Sequence, residues 1–185
     1  MFTRRLVVGL ISMSVALGAG CSSNKSSGIP AKTSSPPSPA SPVPSTAGSV
    51  SAAEREALVA YRGMWSAFVE AGKTSDPDAP DLRKYASDDA LTLIVGALYT
   101  NREQKEVILG EVVLDPRVTE VRPPDAPTEA TILDCVNDEK WLEYKLSGGL
   151  VDDVPGGRHR TTATVKRVNG EWKVSAFTLE RSGTC

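Results

Sequence analysis

Residues 165–174 read Val-Lys-Arg-Val-Asn-Gly-Glu-Trp-Lys-Val. Apolar and charged side chains alternate on both sides of Asn169-Gly170, and Asn-Gly is the dipeptide best suited to the positive φ angles of a two-residue hairpin turn. The stretch is therefore expected to be a tight antiparallel hairpin, with Arg158 to Val168 as one arm and Trp172 to Leu179 as the other. A period of two gives each arm one face for a core and one for solvent. The rest of the chain must extend this sheet and cover its apolar face.

Working upstream, Val107 to Val121 is β-branched and alternating, with a break at Asp115-Pro116, and Pro123 to Pro127 is a loop. Thr131 to Val136 and Trp141 to Leu146 read as two strands around a turn at Asn137-Asp138. Gly148-Gly149 and Pro155-Gly156-Gly157 bracket a loose loop. Before these strands the period changes to that of a helix. Ser51-Ala52-Ala53-Glu54 has the form of a capping box, followed by Leu58, Tyr61, Trp65 and Phe68 on one face and a stop at Gly72-Lys73. Asp76 to Pro80 is a turn, and Pro80 to Ala86 is a short helix with proline at its first position. Ser87 or Asp88 caps a third helix, whose apolar residues are Leu91, Ile94, Val95, Leu98 and Tyr99 and whose end falls between Asn101 and Gln104. Helices first and antiparallel strands after predict an α+β domain, with the N-terminal helices packed on one sheet face.

This order, closed by the Asn-Gly-x-Trp hairpin at 169–172, resembles the nuclear-transport-factor-2-like superfamily, also called SnoaL-like or cystatin-like, over Ser51 to Cys185. The resemblance implies a curved, cone-like sheet that encloses, with the helices, a pocket for small apolar ligands or for catalysis. It also implies homodimers formed through the sheet face. Tyr61, Trp65, Tyr99, Trp141 and Trp172 are the candidates to line such a pocket, and large residues at these places serve equally well as plain core. Catalytic members of the superfamily place Asp, His or Tyr inside the cone. Spacing alone assigns no such set here, so no catalytic residue is carried over.

Residues 1–20 carry Arg4 and Arg5, then a short apolar run from Leu6 to Gly20 that contains Gly9, Gly18 and Gly20. A charged start, an apolar run shorter than a spanning helix and small residues at the end form a signal-peptide pattern. Leu17-Gly18-Ala19-Gly20-Cys21 resembles the lipobox of bacterial lipoproteins, as found in small actinobacterial lipoproteins, although Leu17 stands one place further from the cysteine than is commonest. That resemblance implies a diacylglyceryl group on Cys21, which becomes the first residue of the mature chain. An ordinary secretory signal is the alternative, and Arg4-Arg5 leaves both the general and the twin-arginine export routes open. Two acyl chains hold a protein stably where one does not, so the chain is expected on the outer face of the cell membrane. Residues 21–50 are rich in Ser and Pro, including Pro36-Pro37, Pro39, Pro42 and Pro44, and lack an apolar period. They are expected to be a disordered tether of semi-extended character, and residues 51–185 the globular domain.

The 185-residue chain has 21 basic and 23 acidic residues, and loss of Arg4 and Arg5 with the leader takes its formal charge from −2 to about −4. With no basic stripe, nucleic acid is not expected as a partner. The cysteines are Cys21, Cys135 and Cys185. An odd count in an exported protein leaves one over; a lipidated Cys21 leaves Cys135 and Cys185 to pair, in a compartment where the bond persists.

The one histidine, His159, stands between Arg158 and Arg160, whose charges disfavour its protonated form, and no carboxylate partner is identifiable by spacing. Asp134, Asp138 and Glu139 surround Cys135, and Asp152-Asp153 lies in a glycine-flanked loop; both groups read as solvated acids, and neither has metal-ligand spacing. The chain contains no G-x-S-x-G, phosphate loop, C-x-x-C or H-E-x-x-H motif, and no cofactor is expected. The reading is a membrane-anchored binding or interaction module for a small apolar ligand or a protein partner. The alternative is a cyclase- or isomerase-like enzyme working through a pocket carboxylate.

Overall fold

The computed structural model describes residues 46–185. The leader, Cys21 and the tether as far as residue 45 lie outside the described residues. Three helices precede five strands: α1 (Thr46–Gly72), α2 (Pro80–Tyr85), α3 (Asp88–Gln104), β1 (Glu106–Val113), β2 (Arg117–Arg122), β3 (Glu129–Lys145), β4 (Arg158–Val168) and β5 (Glu171–Leu179). All pairings are antiparallel, in the order β1-β3-β4-β5, with β2 also on β3. The helices lie on one face of this curled sheet, which is the α+β arrangement expected.

Helix α1 starts at Thr46, one turn and more ahead of Ser51. Ser51 and Glu54 are therefore interior helical residues and not its N-terminal capping box. Half-buried Val50 stands three residues before buried Ala53, and Ala57 follows at the next turn, so the apolar stripe runs upstream of Ser51 and carries the helix with it. The same stripe continues through Tyr61, Met64, Trp65 and Phe68, all buried. Helix α2 ends at Tyr85, and Ser87 N–H donates to the Val174 carbonyl, fixing the α2–α3 junction to β5.

The second departure concerns Asn137-Asp138. No turn forms there, and β3 runs unbroken from Glu129 to Lys145. Every second residue, Ala130, Ile132, Asp134 and Val136, is buried on one face, as a single strand requires. What changes at Asn137 is the company. Up to that point β3 pairs with β4 and β2; beyond it β1 takes one edge, and on the other edge β4 is gone. The loop after β3 replaces it there: Asp138 N–H donates to the Gly157 carbonyl and Val151 N–H to the Glu143 carbonyl. The polar pair thus marks a change of partner within a strand.

Register shifts at Glu111/Val113, Val118/Glu120 and Thr164/Val165 bend the sheet around the helices, since each bulge adds local twist. At Gly110, with φ +112°, β1 runs so close to β3 that a Cβ would collide with the Lys140 carbonyl, so only glycine serves. The core between the layers is apolar, built on Trp65, Tyr61, Met64, Leu82, Ile94, Leu98, Ile132, Val136, Val165 and Val174. Among the described residues no helix is long and apolar enough to cross a membrane.

Candidate functional site

Beneath α1, the concave face of the sheet is filled. Tyr61 is 0 % and Trp65 2 % exposed, so no space for a water molecule adjoins most of either ring. Trp65 packs against Phe177 at 5.7 Å and Trp141 at 6.3 Å between ring centroids, and Phe68 meets Trp141 edge-on at 4.9 Å, the offset and edge geometries that aromatic quadrupoles favour. Three of the five aromatic candidates, Tyr61, Trp65 and Trp141, therefore belong to this interior. Trp172 is buried in the same core, where its Nε1–H donates to Glu56 Oε2 at 2.8 Å; of the five, Tyr99 alone falls outside it. Tyr99 is 52 % exposed on α3 beside the Arg102 guanidinium, on the second apolar face of that helix, and lines no interior cone.

One ionisable group is enclosed with the aromatics. Asp134, an inward position of β3, is 4 % exposed. Its Oδ1 accepts from the backbone N–H groups of Asp115 and Cys135, each at 2.7 Å, which holds the β1–β2 turn against β3. Its Oδ2 and the Tyr61 hydroxyl have no partner outside this pair. Burial pushes the Asp134 carboxyl above its ordinary value of 3.8, the two backbone donors working in the opposite direction. Burial likewise raises Tyr61, and the Asp134 charge adds to it. The acid and the phenol are adjacent, but neither is open to a substrate.

Beyond Val136 the same face of β3 comes into the open. Asp138 points inward like Val136, and His159, whose register partner on β3 is Val136, shares that face. His159 Nε2 stands 3.1 Å from Asp138 Oδ1, and Nδ1 donates to the Glu180 carbonyl at 2.7 Å. The expectation of a histidine without a carboxylate, between two repelling arginines, is thus corrected. Strand alternation sends Arg158 and Arg160 to the opposite face, where Arg158 Nε–H donates to Cys135 Sγ at 3.4 Å. Asp138 Oδ1 also accepts from Gly157 N–H at 2.7 Å, so this carboxylate is bound and not merely solvated.

Cys135 and Cys185 are joined by a disulfide with their Cα atoms 5.9 Å apart. It holds the C-terminal segment along the start of β4, where Gly183 N–H donates to the Arg158 carbonyl, Glu180 N–H to the Arg160 carbonyl, and Arg160 N–H to Thr184 Oγ1. The segment brings the Glu180 carbonyl to His159.

Next to Asp138 lies a groove of about 530 Å³, between the second half of β3 and the loop that replaces β4. Trp141 and Leu142 of β3 and Ile108 of β1 face it from the sheet, and Leu150, Val154 and Pro155 from the loop. Its charged lining is Asp138, Glu143, Asp152 and Asp153, with no Lys or Arg. Among the described residues no three His, Cys, Asp or Glu come close enough to hold a metal ion. Sequence spacing did not find this groove, because it depends on β3 being one strand and on β4 ending before it.

No family model matches the chain, and no curated protein sequence matches it. Solved structures do. The intermembrane-space region of the chloroplast protein ARC6 superposes with a TM-score of 0.50 at 16 % identity, over 70 % of this chain and 97 % of that one. A protein of unknown function from Nostoc punctiforme, described as cystatin-like, gives 0.42 at 10 % identity over 69 % and 92 %, and an NTF2-like protein of unknown function from Shewanella baltica gives 0.35 at 15 % over 68 % and 94 %. At these identities the likeness is one of fold alone: helices packed on a curled antiparallel sheet.

Proposed function

We propose that this chain is a lipoprotein anchored through Cys21 to the outer face of the cell membrane, whose folded domain is a non-catalytic binding module carried clear of the lipid by the Ser/Pro-rich tether. The observation that carries the non-catalytic reading is the packing of the interior. Tyr61 and Trp65 are 0 % and 2 % exposed, and the acid enclosed with them, Asp134, spends one oxygen on two backbone donors. An acid without access to solvent has no substrate to protonate. The anchor reading rests on the charged, apolar and small residues of 1–20 followed by Cys21.

Two measurements test the two halves. Metabolic lipid labelling of a Cys21→Ala variant should lose the label and release the protein from membranes; a label that persists overturns the anchor. For the domain, the adjacent Asp134 and Tyr61 favour one competing reading, a cyclase- or isomerase-like enzyme. Turnover of any small carbonyl or hydroxylated aromatic compound that disappears in Asp134→Asn would replace the binding-module reading with that one.

A further inference from the structure

We propose that the groove beside Asp138 binds a small organic cation, an ammonium or guanidinium group on an apolar body; the proposal rests on the binding-module reading and names its ligand class. The groove volume of about 530 Å³ falls in the range of small-molecule sites. Its two kinds of lining specify two parts of one ligand.

The first part is charge. Four carboxylates share the groove, and only Asp138 has an imidazole beside it, that of His159. Among the described residues Glu143, Asp152 and Asp153 have no ion-pair partner. Their polar contacts are with neutral groups: Glu143 Oε1 accepts from Asn101 Nδ2 of α3 at 3.1 Å, and Asp152 Oδ1 from Val154 N–H at 3.0 Å. These bonds fix the direction of the carboxylates without neutralising them. Like charges gathered on a concave surface repel one another, and a bound cation relieves that repulsion. A metal ion lacks a ligand set here, so the cation is organic.

The second part is apolar. Leu150 is 42 % and Val154 69 % exposed, although both line a concavity. They lie across the groove from residues 141 and 142 of β3. The aliphatic side chains suit a hydrocarbon or aryl body beside the charged group. The loop holds this arrangement through backbone bonds to β3 at Glu143, Lys145 and Asp138. At Gly156 it passes so close that a Cβ would strike Asp138.

The test is a titration of the full chain, followed by its amide resonances and the Trp141 indole, with three probes of similar size: phenethylammonium, phenethyl alcohol and phenylacetate. The ammonium should produce saturating shifts at Trp141, Glu143 and Asp152, weakened by added salt, while the carboxylate produces none. Asp152→Asn with Asp153→Asn should weaken ammonium binding about tenfold, since it removes two exposed carboxylates of the four; asparagine keeps the bond from Val154 N–H. Leu150→Lys, which leaves every carboxylate in place, should abolish binding by occupying the site with its own charge. If the alcohol binds as tightly as the ammonium, the cation assignment is wrong and the binding module survives. If no probe shifts these resonances, the groove is not the binding site. The loss of turnover in Asp134→Asn that overturns the module itself is a separate measurement on a separate residue.

Discussion

Ile132, Asp134 and Val136 lie on one face of β3 under α1 and are buried. Asp138, the next residue on that face, looks into an open groove. Strand and face are the same, and the difference lies in what covers them. Where β4 pairs with β3 up to Asn137, the sheet is wide enough to wrap the helix and the aromatic side chains close the space. Where β4 is absent, a glycine-rich loop takes its place and cannot fill the volume that a strand and its side chains would. A single protein thus keeps one enclosed acid, Asp134, and one accessible acid, Asp138, by ending a strand. The first is enclosed under α1, and the second lines an open groove while holding Gly157 N–H and His159.

The largest effect that separates the two regions is expected at Trp65. Removing an enclosed indole costs both transfer energy and a cavity, about 4 kcal/mol, so Trp65→Ala should move the urea midpoint far down. Near-wild-type stability would mean that the interior is looser than its burial shows, and the contrast with the groove would collapse. Next is the staple at the open end. Cys185→Ser removes a cross-link between residues 50 positions apart and should cost about 3 kcal/mol. Its effect on resonances should be concentrated at Arg158, His159 and Glu180, which the C-terminal segment holds, and should leave Tyr61 untouched. Shifts spread evenly through the interior would show that the two regions are not independent.

Asp134 sharpens the comparison through pH. Its carboxyl lies above 3.8 in the folded state because it is buried. The folded chain therefore holds this proton more tightly than the unfolded chain, and stability is lost as pH rises from below 3.8 through the raised folded value. Asp134→Asn keeps an oxygen for the Asp115 and Cys135 donors and removes the charge. It should melt higher than wild type at neutral pH, with the gain shrinking as the pH falls towards 3.8. A variant that is less stable at neutral pH would show that the charge itself holds the β1–β2 turn.

Most of the architecture was legible in sequence because it depends on local period. The hairpin at Asn169-Gly170, the three helices and the break at Asp115-Pro116 each announce themselves within a few residues. The misreadings have one cause, which is that an interaction with distant partners overrode a local signal. Asn137-Asp138 has turn chemistry, yet pairing on both edges keeps it extended. Ser51 and Glu54 have capping chemistry, yet the apolar stripe through Val50 and Ala53 takes the helix past them. The groove was hidden for the same reason. With β3 read as one strand, the period of two from Ile132 through Asp134 and Val136 leads to Asp138, and the register to His159 follows. The exposure of Tyr99 had no such signal, because α3 carries apolar residues on two faces and only packing decides which is covered.

The smallest effect on stability is expected in the groove itself, and its smallness is the point. Asp152 and Asp153 are exposed on the loop, and asparagine preserves the one backbone bond that Asp152 accepts. The double change to asparagine should alter stability by no more than about 0.5 kcal/mol, and in the stabilising direction, since it removes two of four like charges. A residue pair that matters for binding and not for folding is what a surface made for contact predicts. If chemical denaturation instead shows a loss comparable with that of Trp65→Ala, the loop is held by those carboxylates, and the open end of the sheet is as much a part of the core as the closed one.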